Sequence, residues 1–248
     1  MVTALAALAR PGYGDPTVDV DELVTTYPNL YHMAEAGSWD GIRRHGLLST
    51  STLLDLFEVD GDLRQALESA RRPASVTITH PLHGTAVVRD QIPIREGPLE
   101  QCLVGMTPAE WYRELNRRVF FWVSEQRVEG LLRGQAYRDR PHDVLTVDTA
   151  SLVAAHEDEI ALAPINTGST IYNPRPRGVG TFLPIADYPF DEWRRRRSRR
   201  TAVAELAVLR GVQDIVDHTL LVESRRGGAV LEILWQREEA AARRGSGQ

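Results

Sequence analysis

The pattern of apolar and polar positions divides the chain into short helices and short strands, with no sustained repeat. A helix is predicted over Asp19–Tyr27, ended by Pro28, and the apolar stretch Asn29–Met33 that follows reads as a strand. Ser38 sits where an N-cap belongs, ahead of Trp39, Ile42 and Arg43, and Gly46 supplies the stop. Further helices are expected over Thr52–Phe57 and Asp62–Ala70, the latter with Leu63 and Leu67 on one face. Val76–Thr79 and Thr85–Arg89 alternate as strands. Thr107-Pro108-Ala109-Glu110 opens a helix, with threonine at the cap, proline in the first turn and an acid near the positive end of the dipole.

Val119–Val123 is strongly apolar and reads as a central strand, followed by a helix from Ser124 to Leu132, a strand over Asp143–Asp148 and a helical turn over Thr149–Ala155. Pro164–Pro189 is rich in glycine and proline and reads as a long loop, of the kind that compact domains reserve for function or leave disordered. The arginine run 194–200 leads into a strand over Thr201–Leu209, a helical turn at 212–217, and strands Thr219–Val222 and Ala229–Trp235. Strands and helices mix without a βαβ rhythm. The fold class expected is therefore α+β, a mixed and mostly antiparallel β core with flanking helices.

Of the 248 residues, 42% are hydrophobic and 25% charged, enough apolar material for a real core. No stretch resembles an interdomain linker. The expected organisation is an N-terminal extension and first helix over 1–28, one domain over 29–236, and a flexible tail over 237–248. All 29 basic residues are arginine, which reads as codon bias of a GC-rich bacterial genome. The net charge of −5 means that any contact with a polyanion needs a local cluster of cations. The single cysteine, Cys102, excludes an internal disulfide and a multi-cysteine zinc site. The N-terminus lacks the features of a secretory signal, and no apolar run reaches the roughly 18 residues of a membrane span, so a cytoplasmic location is expected and no membrane partner.

Dinucleotide binding of the Rossmann kind is not expected, because GxGxxG is absent, as are the Walker and GxSxG sequences. The remaining histidines are scattered; His80 and His83 lie three apart without a partner cluster, and no metal site is expected. What stands out is an ordered trio of segments: LYHMAEAGSWDGIRRHGLLST (30–50), RVFFW (118–122) and AVAELAV (202–208). Together these resemble DarT-type DNA ADP-ribosyltransferases and their more distant relatives, the RNA 2′-phosphotransferases. More narrowly, the chain resembles a bacterial family of uncharacterised proteins on that scaffold. The early catalytic arginine of the transferases has no unambiguous counterpart, and the central hundred residues match only loosely.

The resemblance implies an ADP-ribosyltransferase-like fold with NAD as substrate, used without a metal, and Glu205 and Arg89 as catalytic candidates. Cleavage of the nicotinamide–ribose bond passes through an oxocarbenium-like state, and a carboxylate beside the developing cation stabilises it. Alternation along 201–209 puts Glu205 on the face of Val203 and Ala207; the plain alternative is an exposed strand glutamate. Tyr31, His32, Gly46, Leu48, Ser49, Thr50, Phe121 and Trp122 are the NAD-binding candidates, although one of the two aromatics must point into the core. His32 has the alternative of a satisfied structural histidine. Arg89 has that of a surface pair with Asp90, with Arg71 and Arg72 as weaker substitutes.

Trp193, Arg194, Arg195, Arg196, Arg197, Arg199 and Arg200 form the candidate acceptor loop, since a basic loop with an aromatic suits single-stranded DNA or RNA. These arginines could instead pair with acidic residues elsewhere or bind the NAD phosphates. An antitoxin or reversing hydrolase would be a further partner, unidentified from the sequence. Two other readings stay open: an NAD glycohydrolase or RNA 2′-phosphotransferase-like enzyme, and a degenerate nucleotide-binding module.

Overall fold

A computed structural model of the protein describes residues 20–238. The rest of the expected N-terminal extension, and the tail beyond Glu238, lie outside the described residues. Helix α1 (Val20–Thr26) leads to strand β1 (Asn29–Glu35), and α2 (Trp39–His45) follows. Ser38 occupies the N-cap of α2 but makes no side-chain cap bond; the buried carboxylate of Asp143 does the work instead, accepting from the Trp39 amide at 3.0 Å. The two-residue strand β2 (Leu47–Leu48) precedes α3 (Thr50–Leu56), whose N-cap Ser49 accepts from the Thr52 amide. Then come α4 (Gly61–Ser69), the hairpin β3 (Val76–His80) and β4 (Gly84–Val88), α5 (Glu96–Cys102), β5 (Leu103–Val104) and α6 (Pro108–Asn116). The start of α6 carries the full reciprocal cap between Thr107 and Glu110, as the sequence predicts.

Strand β6 (Arg118–Trp122), α7 (Glu125–Leu132), β7 (His142–Asp148) and α8 (Thr149–His156) follow expectation closely. Beyond them lie β8 (Ile160–Ala163), β9 (Arg177–Gly178), β10 (Leu183–Pro184), α9 (Phe190–Arg196), β11 (Glu205–Leu209), β12 (Gly211–Val212), α10 (Ile215–His218), β13 (Thr219–Arg226) and β14 (Ala229–Gln236). Eight strands form one antiparallel sheet in the order β10-β8-β11-β6-β1-β7-β13-β14, so the fold is α+β around a large antiparallel sheet. One face buries Leu30, Phe121, Leu145, Leu162, Leu206 and Val222 in the main core. On the other face Val128 and Leu132 of α7 pack against Met33 and Val144. Each such side chain contributes about 1.5–3 kcal/mol by leaving water.

Three expectations are corrected. The arginine run is not an open loop: residues up to Arg196 are helical, and Phe190 anchors that helix in the core. The late strand begins at Glu205, not Thr201, because tyrosine hydroxyls take the backbone ahead of it. Tyr188 donates to the Ala202 carbonyl at 2.6 Å, and Tyr27 accepts from the Val203 amide at 3.1 Å. Val203 therefore lies outside the strand and does not share its alternation. The strand over Thr219–Val222 runs on to Arg226 and turns at Gly227-Gly228 into β14. Strand β8, helix α5 and the two-residue strands β2, β5 and β12 are additions to the expected elements, and the expected loop 164–189 is interrupted by β9 and β10, which pair with β5 and β8.

Two features position the site. Strands β1 and β6 share a single pair, Tyr31↔Trp122, and part beyond it, whereas β1 stays paired with β7 along its length. At the far end of β11, β12 presses onto β2 so closely that glycine is required on both sides. A Cβ on Gly46 (φ +88°) would lie 2.5 Å from the Gln213 Cα, and one on Gly211 (φ +124°) 2.4 Å from the Leu47 carbonyl oxygen.

Candidate active site around Glu205

Glu205 is the first residue of β11, and its position there decides its chemistry. Its side chain is 4% exposed among apolar neighbours, yet it is carried to the end of the strand where irregular backbone begins. The carboxylate accepts two hydrogen bonds from Thr167, one from the amide at 3.0 Å and one from Oγ1 at 2.6 Å. Burial pushes its pKa up to about 7, against the Thr167 hydrogen bonds and the charges of Arg127 and Arg177, which pull it down. Such a group holds its proton loosely at neutral pH.

Arg177 is also buried, and burial lowers its pKa. It reaches Glu205 only through a peptide: its Nη1 donates to the Thr167 carbonyl at 2.9 Å, and Thr167 in turn donates to Glu205. Thr167 belongs to the segment 164–176, which has no helix or strand. This segment and the residues around it line an open cavity of about 390 Å³, with Arg127, Arg175, Arg177 and Arg197 in its wall beside Asn166, Ser169 and Tyr172. Among the described residues, the side chains of Arg127 and Arg175 make no ion pair or hydrogen bond. Glu205 itself lies behind this wall, next to the lining residue Ala204. Four guanidinium groups around an open cavity favour an anionic ligand of phosphate character.

Register links Glu205 to two residues singled out in the sequence. Glu205 pairs with Trp122 and Trp122 with Tyr31, so the three lie in one cross-strand row on one face of the sheet. Trp122 and Tyr31 are half-buried there, packed against the cluster of Met33, Val128, Leu132, Tyr137 and Val144. Phe121 faces the opposite way, is 0% exposed, and is the aromatic that the core claims.

His32 belongs to a second cluster, where β1 and β6 part. Its Nδ1 donates to the Phe120 carbonyl at 2.9 Å, and its ring packs on Phe121 at 5.8 Å between centroids. Burial holds its pKa down to about 4, with the Phe120 carbonyl opposing and the Arg89 charge adding to the effect. The ring keeps partial solvent contact, and among the described residues no group hydrogen-bonds its Nε2. Arg89 donates to the Met33 carbonyl at 2.6 Å, stands 3.8 Å from Glu35 and lies over the Tyr137 ring. Asp90 is not its surface partner: it is buried, accepting from Tyr137 and Arg140 at 2.7 and 3.0 Å. Arg71 and Arg72 are spent on backbone carbonyls, Arg71 on Ile92 and Ile94 and Arg72 on Leu67 and Arg89. The arginines whose charges reach Glu205 are thus Arg127 and Arg177, which no sequence signal marked.

The Gly46–Thr50 turn is elsewhere. Ser49 donates its amide to Arg210 and spends its hydroxyl on capping α3, while Gly46 and Leu48 lie against 211–213. Arg210 lies five residues past Glu205, about 16 Å along an extended chain, so this turn and Glu205 sit at opposite ends of β11. The arginine run divides. Arg194 pairs with Glu22 and Asp191, Arg196 with Glu192 and Arg199 with Glu22. Arg197 turns to the cavity, donating to the Pro164 carbonyl at 2.5 Å and lying over Trp193. Arg195 and Arg200 stay exposed. Among the described residues no helix is long and apolar enough to cross a membrane.

No curated protein matches the chain. A family model does, over residues 28–219, which takes in β1, the Glu205 strand and the arginine-lined cavity. The chain belongs to that family, DUF7002, a family of unknown function.

Proposed function

We propose that the protein is an ADP-ribosyltransferase that breaks the bond between nicotinamide and ribose in NAD and passes ADP-ribose to a nucleotide or nucleic acid. The observation that carries this reading is Glu205: a buried carboxylate with a raised pKa, aligned with Trp122 and Tyr31 and separated by one loop from a cavity walled by four arginines. The glycosidic bond breaks with its electrons leaving on neutral nicotinamide, and the ribose carbon becomes cationic. A carboxylate in a poorly solvated place stabilises that cation more than it does the ground state. Arg127, Arg175, Arg177 and Arg197 would hold the pyrophosphate, with Trp122 and Tyr31 flanking the reacting end. Thr167 must release Glu205 for the carboxylate to meet ribose, so the segment 164–176 lifts as NAD enters. With NAD as its substrate, the protein works in the cytoplasm.

Three arginines of the run are taken up by acidic residues, which leaves the exposed Arg195 and Arg200 to meet the acceptor. The glycohydrolase alternative differs only in that water takes the ribose. The test is nicotinamide release from NAD by wild type and Glu205→Gln, each with and without single-stranded DNA or RNA. Release by wild type alone, with a mass gain of one ADP-ribose on the nucleic acid, supports the transferase. Release without any mass gain favours the glycohydrolase. No release, together with no rise in melting temperature on adding NAD, overturns the reading.

A further inference from the structure

Away from Glu205, the fold gathers three residues that are scattered in sequence. His156 is the last residue of α8, Asp214 sits at the N-cap of α10, and His218 ends α10 one turn later. Their ligand atoms all lie within 4.8 Å of one another. His156 Nε2 is 2.8 Å from Asp214 Oδ1, and His218 Nε2 is 3.3 Å from Asp214 Oδ2. The outer ring nitrogens are held as well: His156 Nδ1 by Glu159 at 3.4 Å, and His218 Nδ1 by the Ser151 hydroxyl at 3.1 Å. Glu159 is in turn fixed by Arg210 at 3.0 Å.

From this geometry we infer that His156, Asp214 and His218 bind a divalent transition-metal ion, zinc being the natural probe. The convergence of three ligand atoms from two helix ends carries the inference. His156 turns Nε2 to Asp214 and Nδ1 to Glu159, and His218 turns Nε2 to Asp214 and Nδ1 to Ser151, so both rings present the same nitrogen to the shared carboxylate. A metal ion takes the place of the Nε2 proton. Nδ1–H then donates to Glu159, and on His218 to Ser151, the arrangement by which ligating imidazoles are held in tautomer and orientation. A carboxylate oxygen is the third ligand.

Zinc–nitrogen bonds of about 2.0–2.1 Å in a tetrahedron put ligand atoms about 3.3 Å apart. The two histidine–aspartate distances are 2.8 and 3.3 Å, and with all three ligand atoms within 4.8 Å the two imidazoles need only a small inward turn to close on an ion. Two imidazoles and a carboxylate suit zinc or a neighbouring transition ion better than calcium or magnesium. The burial pattern leaves a way in: His218 is buried, His156 partly so, and Asp214 is exposed on the outer side, where water completes the shell. The ion would join α10 to α8 beside the β2–β12 contact. It is independent of NAD chemistry.

The experiment uses the full chain, stripped with a chelator and titrated with zinc by calorimetry, with the visible spectrum of the cobalt form as a second readout. One zinc per chain is expected, with a tetrahedral cobalt spectrum. A rise in melting temperature of about 5–10 °C should appear at a hundredfold excess over Kd. Asp214→Asn and His156→Gln, both at accessible positions and checked for folding by circular dichroism, should each weaken binding at least tenfold. His83→Gln, in the separate ring cluster of His45, His80 and His83, should leave it unchanged. Absence of zinc binding by the folded wild type overturns the inference. So does binding that survives in both variants, or binding lost only in His83→Gln.

Discussion

The two ends of the β1–β6–β11 strand group both bury charge, but they treat it differently. At the Arg89 end the charges answer one another: Asp90 accepts from Tyr137 and Arg140, Arg140 also faces Glu35, and Arg89 is held between the Met33 carbonyl, Glu35 and the Tyr137 ring. At the Glu205 end they do not. Glu205 and Arg177 meet through the Thr167 peptide, Arg127 reaches Glu205 through its charge alone, and neither Arg127 nor Arg175 makes a side-chain hydrogen bond or close ion pair among the described residues. At the Arg89 end each charge has an opposite charge within reach, although Arg89 Nε keeps no hydrogen bond and Arg140 is partly exposed, and such mutual pairing holds a structure together. Uncompensated charges beside an open cavity mark where a ligand can complete the set.

This contrast can be broken most forcefully at Asp90. Burial pushes its carboxyl up, but the Tyr137 and Ile92 hydrogen bonds and the charges of Arg89 and Arg140 outweigh that and hold it below its ordinary value. Asp90→Ala leaves Glu35 alone to answer both cations and the Tyr137 hydroxyl without its acceptor. It should cost about 3 kcal/mol in denaturant unfolding, less than a fully buried pair because Arg140 is partly exposed. A loss below 1 kcal/mol would mean that these charges do not answer one another as described.

Glu205→Gln should act in the opposite direction. A folded-state pKa raised from 4.5 to about 7 means that the folded chain binds the proton more tightly than the unfolded one. Stability is therefore greatest below pH 4.5 and declines as pH rises towards 7. Glutamine can still accept from Thr167 without the charge, so the variant should gain up to about 3 kcal/mol over wild type at pH 8 and almost nothing at pH 4. Equal stabilities at pH 8 would show that Glu205 carries no burial penalty.

His32 titrates with the other sign. Its folded pKa lies below the ordinary 6.5, at about 4, so the stability it contributes is present above pH 6.5 and is lost as pH falls towards 4. His32→Asn should flatten that acid limb by up to about 2 kcal/mol, read from unfolding curves at pH 7 and pH 4. The smallest effect on stability is expected from Arg127→Ala and Arg175→Ala, within about 0.5 kcal/mol, because neither side chain has a hydrogen bond or close ion pair to lose among the described residues and Arg127 acts on Glu205 only through its charge. These two variants should nonetheless abolish the rise in melting temperature that NAD gives to wild type. If both respond to NAD like wild type, the cavity is not where the phosphates bind.

Much of the fold was legible from local chemistry. The Thr107–Glu110 cap, the apolar β6, the stop at Gly46 and the boundaries of α7 and β7 all follow from side chains acting within a few residues of themselves. The starts of β11 and α9 did not, because their causes are distant. Tyr27 and Tyr188 take the backbone at 202–203, and Phe190 finds a core assembled from other elements. For the candidate site, Glu205, Trp122 and Tyr31 were named and the register aligns them. Ser49, Gly46 and Arg89 were named too, and the fold spends them on a helix cap, a tight contact and a carbonyl. Arg127, Arg175, Arg177 and Thr167 were missed. An arginine in a chain with 29 of them carries no signal until its neighbours are known.

The sequence alone determined the α+β class, most of the helix and strand positions, and the residues worth asking about. Periodicity, caps and glycine stops act over one or two turns and are written in adjacent letters. Tertiary structure decided which charges meet a partner, which end of β11 opens to a cavity, and that His156 comes within reach of an aspartate 58 positions away. Those are properties of distance and desolvation, and neither exists until strands far apart in the chain are laid side by side.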